Sequence, residues 1–476
     1  MQKYAKFIKL ISAAALLVAS TAFLSGCGCK QADKPVVDQI VIWGIWDESD
    51  VYESIISEFK KSHGNVKDIV YRKFPCNESE CYDYLQQVVQ GLAAGTGPDI
   101  FMINNTWVPA QKDKMVPVDT INDLLVKQNL DKIMTLRDFG DTYVPVAKKD
   151  LVSKDADGVE RIYAVPLWND NLAVFYNRDL FNIAGITPPP KNWTWQQIKP
   201  ESASFESYAS RITKIDEYGT IQRAGAAMGY GRNVHRAADI LAVLMMQMGT
   251  PVVGPDWEAV FNSNIKSSDG SSFSPGQTAF SFFTKFTDKR QPSYSWNKEQ
   301  WQSLDDFTRG HLGMMINYSN QIKNIQSKAP NLNFGIAHLP QMRDDSKPEN
   351  FASYWAMAVS KQATDQKAID CWRFLQFLTD NVHSEKYTQQ TGRVSARLDL
   401  IEKQKEDQWL GVFADQAISS DSYPEANNAR VGKIFEDAIN SIIDAGTTPN
   451  NASIMASQQI SQEGADLAKK MRGGAY

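Results

Sequence analysis

The sequence predicts an α/β protein folded as two lobes, and three observations carry that expectation. Apolar, strand-like runs alternate with amphipathic helical segments from Ile40 to Ile103, the pattern of a largely parallel sheet covered by helices. At 476 residues the chain is too long for one ordinary hydrophobic core. Within residues 163–181 two apolar runs are parted by Trp168-Asn169-Asp170-Asn171. Pro166 cannot donate to a sheet ladder, and a tryptophan among polar side chains is unusual where a chain merely turns, so this stretch is placed where two domains meet and line a cleft.

At the N-terminus, Lys3, Lys6 and Lys9 precede an apolar segment, residues 10–24, that is too short and too rich in small residues for a membrane span. A signal peptide is expected over residues 1–26. Leu24-Ser-Gly-Cys27 resembles the bacterial lipobox, which makes Cys27 the expected lipidation site; the alternative is an ordinary secretory cleavage beside a stray cysteine. Each buried acyl CH₂ contributes ~0.8 kcal/mol, so several chains would anchor the protein to a membrane while its folded part stays in water. Residues 27–37 then form a tether. Cys76 and Cys81 stand close enough to close a small loop, and in an exported protein a disulfide is expected over two free thiols. Cys371 falls in an apolar helical pattern and reads as a buried small hydrophobe; Cys29 has no assignment.

The run 40–44 suits a strand buried on both faces. A helix follows with Val51, Ile55, Ile56 and Phe59 on one side, capped by Asp50 and ended at Gly64. A second strand is expected over 69–74, a helix through Leu85, Val88, Val89 and Leu92 stops at Gly95, and a third strand spans 98–103. Residues 138–160 are polar and read as a surface excursion. The second apolar run of the organising stretch, 172–176, ends at Asn177, a helix cap. Residues 237–248 form a methionine-rich helix, 262–276 a loop, 351–360 a strand and 368–378 a helix.

Hydrophobic content of 43%, charge of 22% and a net charge of −5 describe a globular protein without a nucleic-acid surface. The five histidines show no metal-ligand spacing, and there is no His-Glu-x-x-His, Gly-x-Ser-x-Gly or phosphate loop. No metal, cofactor or catalytic residue is therefore expected. What stands out is a surplus of aromatics and amides near predicted strand ends: Trp43, Trp46 and Asp47; Asn104, Asn105 and Trp107; Trp168, Asn169, Asp170 and Asn171; Tyr318 and Asn320; Tyr354 and Trp355. A sugar offers an apolar face that flat rings can cover and a rim of hydroxyls that Asn and Asp can satisfy. Trp43 lies within a strand and reads as core, while Trp46 and Trp107 suit ligand contact or packing equally.

The stretch 163–181, with Pro188-Pro-Pro-Lys-Asn-Trp-Thr-Trp195, resembles the extracellular solute-binding proteins of ABC importers, in the branch of maltose-binding protein. Further matching pieces in the same order are Gly95-Thr-Gly-Pro-Asp-Ile-Phe101, Phe307-Thr-Arg-Gly-His-Leu-Gly-Met-Met-Ile316, Phe334-Gly-Ile-Ala-His-Leu-Pro340 and Thr391-Gly-Arg-Val-Ser-Ala-Arg397. The resemblance implies a class II periplasmic-binding-protein-like fold, with mixed, mostly parallel sheets, flanking helices and a hinge of several segments. It implies one lobe of 38–167 and 356–400 and another of 168–355 and 401–476. It also implies a small-molecule sugar ligand, an ABC permease as partner, a monomer, and an extracytoplasmic location at the membrane. The ligand contacts it implies, together with the aromatic and amide surplus, are Trp46, Asp47, Asn105, Trp107, Trp168, Asn169, Asn171, Tyr318, Asn320, Trp355 and Arg393. Two departures from the family pattern put the usual disaccharide geometry in question: Tyr318 where glycine is frequent with Asn320 where an aromatic platform often sits, and the bulky Ser353-Tyr-Trp355; Arg393 also stands in place of a frequent second glycine. Arg393 suits a ligand contact or a surface ion pair equally. The alternatives kept open are a non-sugar solute such as a glycerophosphodiester, polyol or peptide, and a surface glycan hydrolase.

Overall fold

The structure is a computed structural model that describes residues 35–76, 81–199, 202–267, 270–343 and 347–473. The expected signal peptide, the lipidation site Cys27 and the unassigned Cys29 lie outside the described residues.

Two five-stranded sheets form the cores of two lobes. The first orders its strands Val66–Lys73, Val37–Gly44, Ile100–Asn104, Trp355–Val359 and Ala164–Pro166. Its first three strands are parallel, and Trp355–Val359 runs antiparallel between Ile100–Asn104 and Ala164–Pro166. Ile100–Asn104 and Trp355–Val359 are buried at every position, which explains why both read as continuous apolar runs rather than alternating ones. Helices Asp50–Ser62, Asp365–Leu378 and Asn381–Thr391 pack together against this sheet. Cys371 is buried and free in the second of these helices.

The second sheet orders Phe334–Ala337, Ala173–Asn177, Leu312–Asn317, Ile221–Ala226 and Lys214–Ile215. Helices Ala237–Met246, Pro275–Thr284, Asn428–Ala445 and Pro449–Gly473 pack on one another beside it. Asn177 caps the short helix Arg178–Ile183, its side chain accepting from the amides of Asp179 and Leu180, a contribution of about 1 kcal/mol.

The chain passes between the sheets at 167–172 and at 352–354, and these two crossings lie side by side. Asn171 and Ala352 form an isolated antiparallel bridge, and the Ser353 amide donates to the Asp170 carbonyl at 3.0 Å. A third segment joins them, with Asn350–Phe351 parallel to Ser420–Asp421.

The polar stretch 138–160 departs from the expected surface excursion. It contains helices Leu136–Thr142 and Pro145–Leu151, and its Asp150 is buried. Asp150 accepts from Asn105 Nδ2 and the Tyr354 hydroxyl, both at 2.8 Å, and from the Ser422 hydroxyl at 2.5 Å. The single carboxylate thus ties the first lobe, the return crossing and the third segment together. Its charge is masked in sequence by Lys148 and Lys149 beside it, and burial pushes its carboxyl upward. Lys149 reaches the same junction, donating to Asp421 Oδ1 at 2.6 Å.

Candidate ligand-binding cleft

The parallel strands of the first sheet deliver their carboxyl ends to the crossings, where ligands of open α/β sheets bind. Trp46 lies just beyond Val37–Gly44, and Trp355 opens its strand directly opposite Asn104 in the antiparallel register. Of the predicted contact residues, Trp46, Trp168, Tyr318, Asn320, Trp355 and Arg393 line one cavity of about 160 Å³. Trp355 meets Trp46 edge-on at 5.8 Å, so the two rings form adjoining walls.

The other predicted contacts stand behind this cavity. Trp107 is fully buried, packed edge-on against Trp355 at 5.2 Å. Asn105 is turned to the hinge, bonding Asp150 and accepting from the Tyr354 amide at 3.1 Å. Asn171 holds the junction of the crossings, donating to the Phe413 carbonyl at 2.9 Å and accepting from Asn350 and Gln416. Asn169 is buried, and its amide donates to the Val394 carbonyl at 3.0 Å. Asp47 lies under the cavity wall. Its Oδ1 accepts from Arg393 at 2.7 Å, and its Oδ2 accepts from the hydroxyls of Tyr52 at 2.9 Å and Tyr387 at 2.8 Å. The common reason is spacing. A sequence position just past a strand end fixes the neighbourhood of a side chain but not which of two alternating faces it takes.

Arg393 follows Gly392, whose left-handed backbone (φ 70°) ends helix Asn381–Thr391. Besides Asp47, its guanidinium donates to the Tyr387 hydroxyl at 2.6 Å and lies 3.9 Å from the Trp168 ring centre. One face of Trp168 is therefore covered by a cation, and the charge of that cation is met from below by a carboxylate.

Sequence reasoning left Asn104, Asp170, Arg236, Ser353, Asn428 and Cys81 out of the contact set, yet all line the same cavity. Cys81 opens helix Cys81–Ala94 and is joined by a disulfide to Cys76. Asp170 accepts from the Ser319 amide at 3.0 Å and hydroxyl at 2.9 Å, which fastens the first crossing to the second lobe. Burial raises its carboxyl to about 6. Only its place in the polar break signalled it; Arg236 and Asn428 lie in stretches with no site-like pattern.

Asn104, Arg236, Ser353 and Asn428 also line a larger chamber of about 650 Å³. Here the Tyr318 hydroxyl donates to Asp239 Oδ2 at 2.9 Å. Glu425 is buried, is bonded to the side chains of Thr106 and Tyr423, and is pushed up to about 8 by burial and by the neighbouring Asp239. Thr106 belongs to the first lobe and Glu425 leads into a helix of the second, so this contact spans the cleft. Among the described residues no group of three or more His, Cys, Asp or Glu side chains could hold a metal ion.

A sequence profile for bacterial extracellular solute-binding proteins matches residues 54–414, well over half of the chain. A protein of Brucella abortus (strain 2308) is 26% identical over 318 residues, covering 65% of this chain; the chain spans 64% of that relative's length. The sn-glycerol-3-phosphate-binding periplasmic protein UgpB of Pectobacterium atrosepticum is 22% identical over 432 residues, 84% of each chain. Two solved structures share the two-lobed fold. The cyclic α-maltosyl-1,6-maltose binding protein from Arthrobacter globiformis has a TM-score of 0.70 at 18% identity, covering 91% of this chain and 100% of its own. The sugar-binding protein MalE from Xanthomonas citri also has a TM-score of 0.70, at 16% identity, covering 91% and 99%.

Proposed function

The chain belongs to the bacterial extracellular solute-binding proteins, and on that premise we propose that it captures a carbohydrate, a mono- or oligosaccharide, between its lobes and delivers it to an ABC-type permease. The observation that carries this reading is the cleft itself, in which Trp46 and Trp355 form an aromatic corner and Asn104, Asp170, Asn320 and Ser353 supply a polar rim. A sugar ring needs both. Its C–H face gains from flat apolar cover, and its hydroxyls are costly to bury unpaired.

The second reading is a phosphorylated solute, favoured by the name of the Pectobacterium relative. Charge argues against it. Arg393 is already matched by Asp47, and the larger chamber places Asp239, Glu425 and Glu436 around the ligand space. The same chamber is lined by Arg232, Arg236 and Lys433, so an anion entering there would find no net excess of cations over carboxyl groups. Against a hydrolase, Asp170 is held by the Ser319 amide and hydroxyl, and Glu425 is bonded to the side chains of Thr106 and Tyr423, so both carboxyls are engaged structurally.

Capture proceeds by population shift. The ligand touches both lobes together only when they are closed, so it favours that arrangement by its differential affinity. A micromolar dissociation constant corresponds to ~8 kcal/mol, within reach of a few stacked rings and well-placed hydrogen bonds. No bond is made or broken, and ATP hydrolysis belongs to the partner complex. Lipidation at Cys27 would anchor the monomer to the membrane near its permease, with the folded part extracytoplasmic.

The test is a screen of the exported form by tryptophan fluorescence and titration calorimetry against mono- and oligosaccharides, polyols, peptides and glycerophosphodiesters. Saturable binding of an unaltered sugar is expected. Exclusive binding of a phosphodiester, or release of a cleaved product, would replace the proposal with one of its alternatives.

A further inference from the structure

The buried contact between Thr106 and Glu425 can be read by following one hydrogen. Asn104 closes the first-lobe strand Ile100–Asn104, and its Oδ1 accepts from the Thr106 amide at 3.0 Å and from the Thr106 hydroxyl at 2.8 Å. The backbone amide identifies that atom as an acceptor, so the hydroxyl must be the donor between the two side chains. A threonine hydroxyl carries a single hydrogen, and here it is spent on Asn104. Thr106 nevertheless bonds the Glu425 carboxyl as well. Its oxygen can only accept in that second bond, which makes Glu425 the donor and requires a proton on the carboxyl. The other side-chain partner, the Tyr423 hydroxyl, then donates to the acid.

The surroundings favour the neutral form. Glu425 is buried, and the neighbouring charge that weighs most on it is Asp239 of helix Ala237–Met246, which opposes a second carboxylate. Burial pushes the Tyr423 phenol well up, so it stays neutral. The other titratable and charged groups around the chamber are Arg232, His235, Arg236, Lys433 and Glu436. Histidine is the side-chain type that titrates near neutrality, so His235 is the competing proton site that a test must separate. The Glu425 amide also donates to the Thr106 carbonyl at 3.3 Å, so backbone and side chain clasp the same first-lobe residue.

We propose that Glu425 is a proton-held latch between the lobes: as a neutral acid it donates to Thr106 across the cleft, and loss of that proton frees the lobes and weakens capture of the ligand. The proposal rests on the two-lobe capture reading of the chain. Its sign follows from linkage. Released from Thr106 and exposed to water, the carboxyl returns toward its ordinary 4.5, whereas latched it stands at about 8. Closing therefore takes up a proton between those values, and closure loses its support as pH rises through about 8.

Wild type and Glu425→Gln, both in the exported form, are compared at about pH 6 and about pH 9 by small-angle X-ray scattering without ligand and by calorimetric titration with maltotetraose. Glutamine offers Thr106 a donor and Tyr423 an acceptor at every pH. Wild type should show a larger radius of gyration and a weaker affinity at the higher pH, the affinity falling by no more than about tenfold per pH unit, the limit for one linked proton. Both differences should vanish in Glu425→Gln. Thr106→Val, which takes away the accepting oxygen instead, should flatten the same profiles and serves where the glutamine variant does not fold. A wild-type radius that ignores pH overturns the proposal, as does an affinity for a bound sugar that stays constant across the range. A pH dependence that persists in Glu425→Gln overturns it too, and assigns the proton to another chamber group, His235 first. Failure of maltotetraose and every other sugar to bind at either pH removes the carbohydrate reading, and scattering alone then decides the latch.

Discussion

Replacing Asp47 with alanine should be strongly damaging at the cleft, and its cost can be worked from the geometry. Arg393 donates to Asp47 Oδ1 at 2.7 Å, and the side-chain exposures of the pair are 17% and 3%. The interaction is thus sheltered from the screening that makes surface pairs weak. Asp47→Ala leaves a guanidinium half sealed in the wall without its carboxylate, and removes the acceptor of the Tyr52 and Tyr387 hydroxyls. Removing one partner of a buried pair costs about 3–5 kcal/mol. Replacing both, with Asp47→Leu and Arg393→Met, leaves no orphaned charge and should recover much of that loss. Urea unfolding followed by circular dichroism of wild type, Asp47→Leu, Arg393→Met and the double variant gives the four stabilities and the coupling between the sites, with Asp47→Ala measured beside them. The same variants should show weaker ligand binding, because Arg393 covers one face of Trp168 only while Asp47 holds it there. A cost for Asp47→Ala below about 1 kcal/mol, or a double variant whose loss equals the sum of the singles, would refute the reasoning.

Other consequences are separable by what they disturb. Trp46 is half-buried in the cavity and Trp107 is fully buried behind Trp355; Trp46→Ala should weaken ligand binding about tenfold or more in calorimetry, whereas Trp107→Ala should cost about 3–5 kcal/mol in unfolding experiments. Glu425 has a folded pKa of about 8 against an ordinary 4.5. An acid raised on folding stabilises fully below its unfolded value and loses that contribution as pH rises through the folded one, so stability should fall by a few kcal/mol between about pH 5 and pH 9; in Glu425→Gln, thermal midpoints across that range should show a flatter profile. The Cys76–Cys81 bond closes a loop of sequence separation 5 and puts Cys81 in the cavity wall; reducing it should remove about 2 kcal/mol of stability and also lower ligand affinity, which calorimetry with and without reductant would read.

The architecture was legible because its signals are local and repeated. Buried strands such as Ile100–Asn104 announce themselves as apolar runs, and the polar break at 168–171 marks a crossing because nothing else accounts for its composition. The site was legible only in part. Trp46, Trp168 and Trp355 reach the cavity because the strand ends and crossings deliver them there. Asn105, Asn171 and Asp47 have the same residue types at similar offsets, yet they serve the hinge and the wall. The difference is decided by partners far away in sequence: Asp150 for Asn105, Phe413 and Gln416 for Asn171, Arg393 and Tyr387 for Asp47. Arg236 was missed for the opposite reason. It lines both cavities, and that placement leaves no trace in residue type.

The bulky return crossing Ser353-Tyr354-Trp355 makes physical sense once those partners are named. Small residues in a hinge let segments slide past one another; here the segments are bonded side by side instead, through Asn171 and Ala352, Asp170 and Ser353, and Phe351 and Asp421. Tyr354 fills the space behind them and carries its hydroxyl to Asp150, which also takes Ser422 from the third segment. Bending must then be absorbed by residues around this knot, not within it. Beyond the knot the lobes also meet where Glu425 of the second bonds Thr106 of the first. The two large side chains therefore divide the work. Tyr354 stiffens the pivot, Trp355 faces the cavity one residue later, and strand alternation makes both possible in the same short crossing.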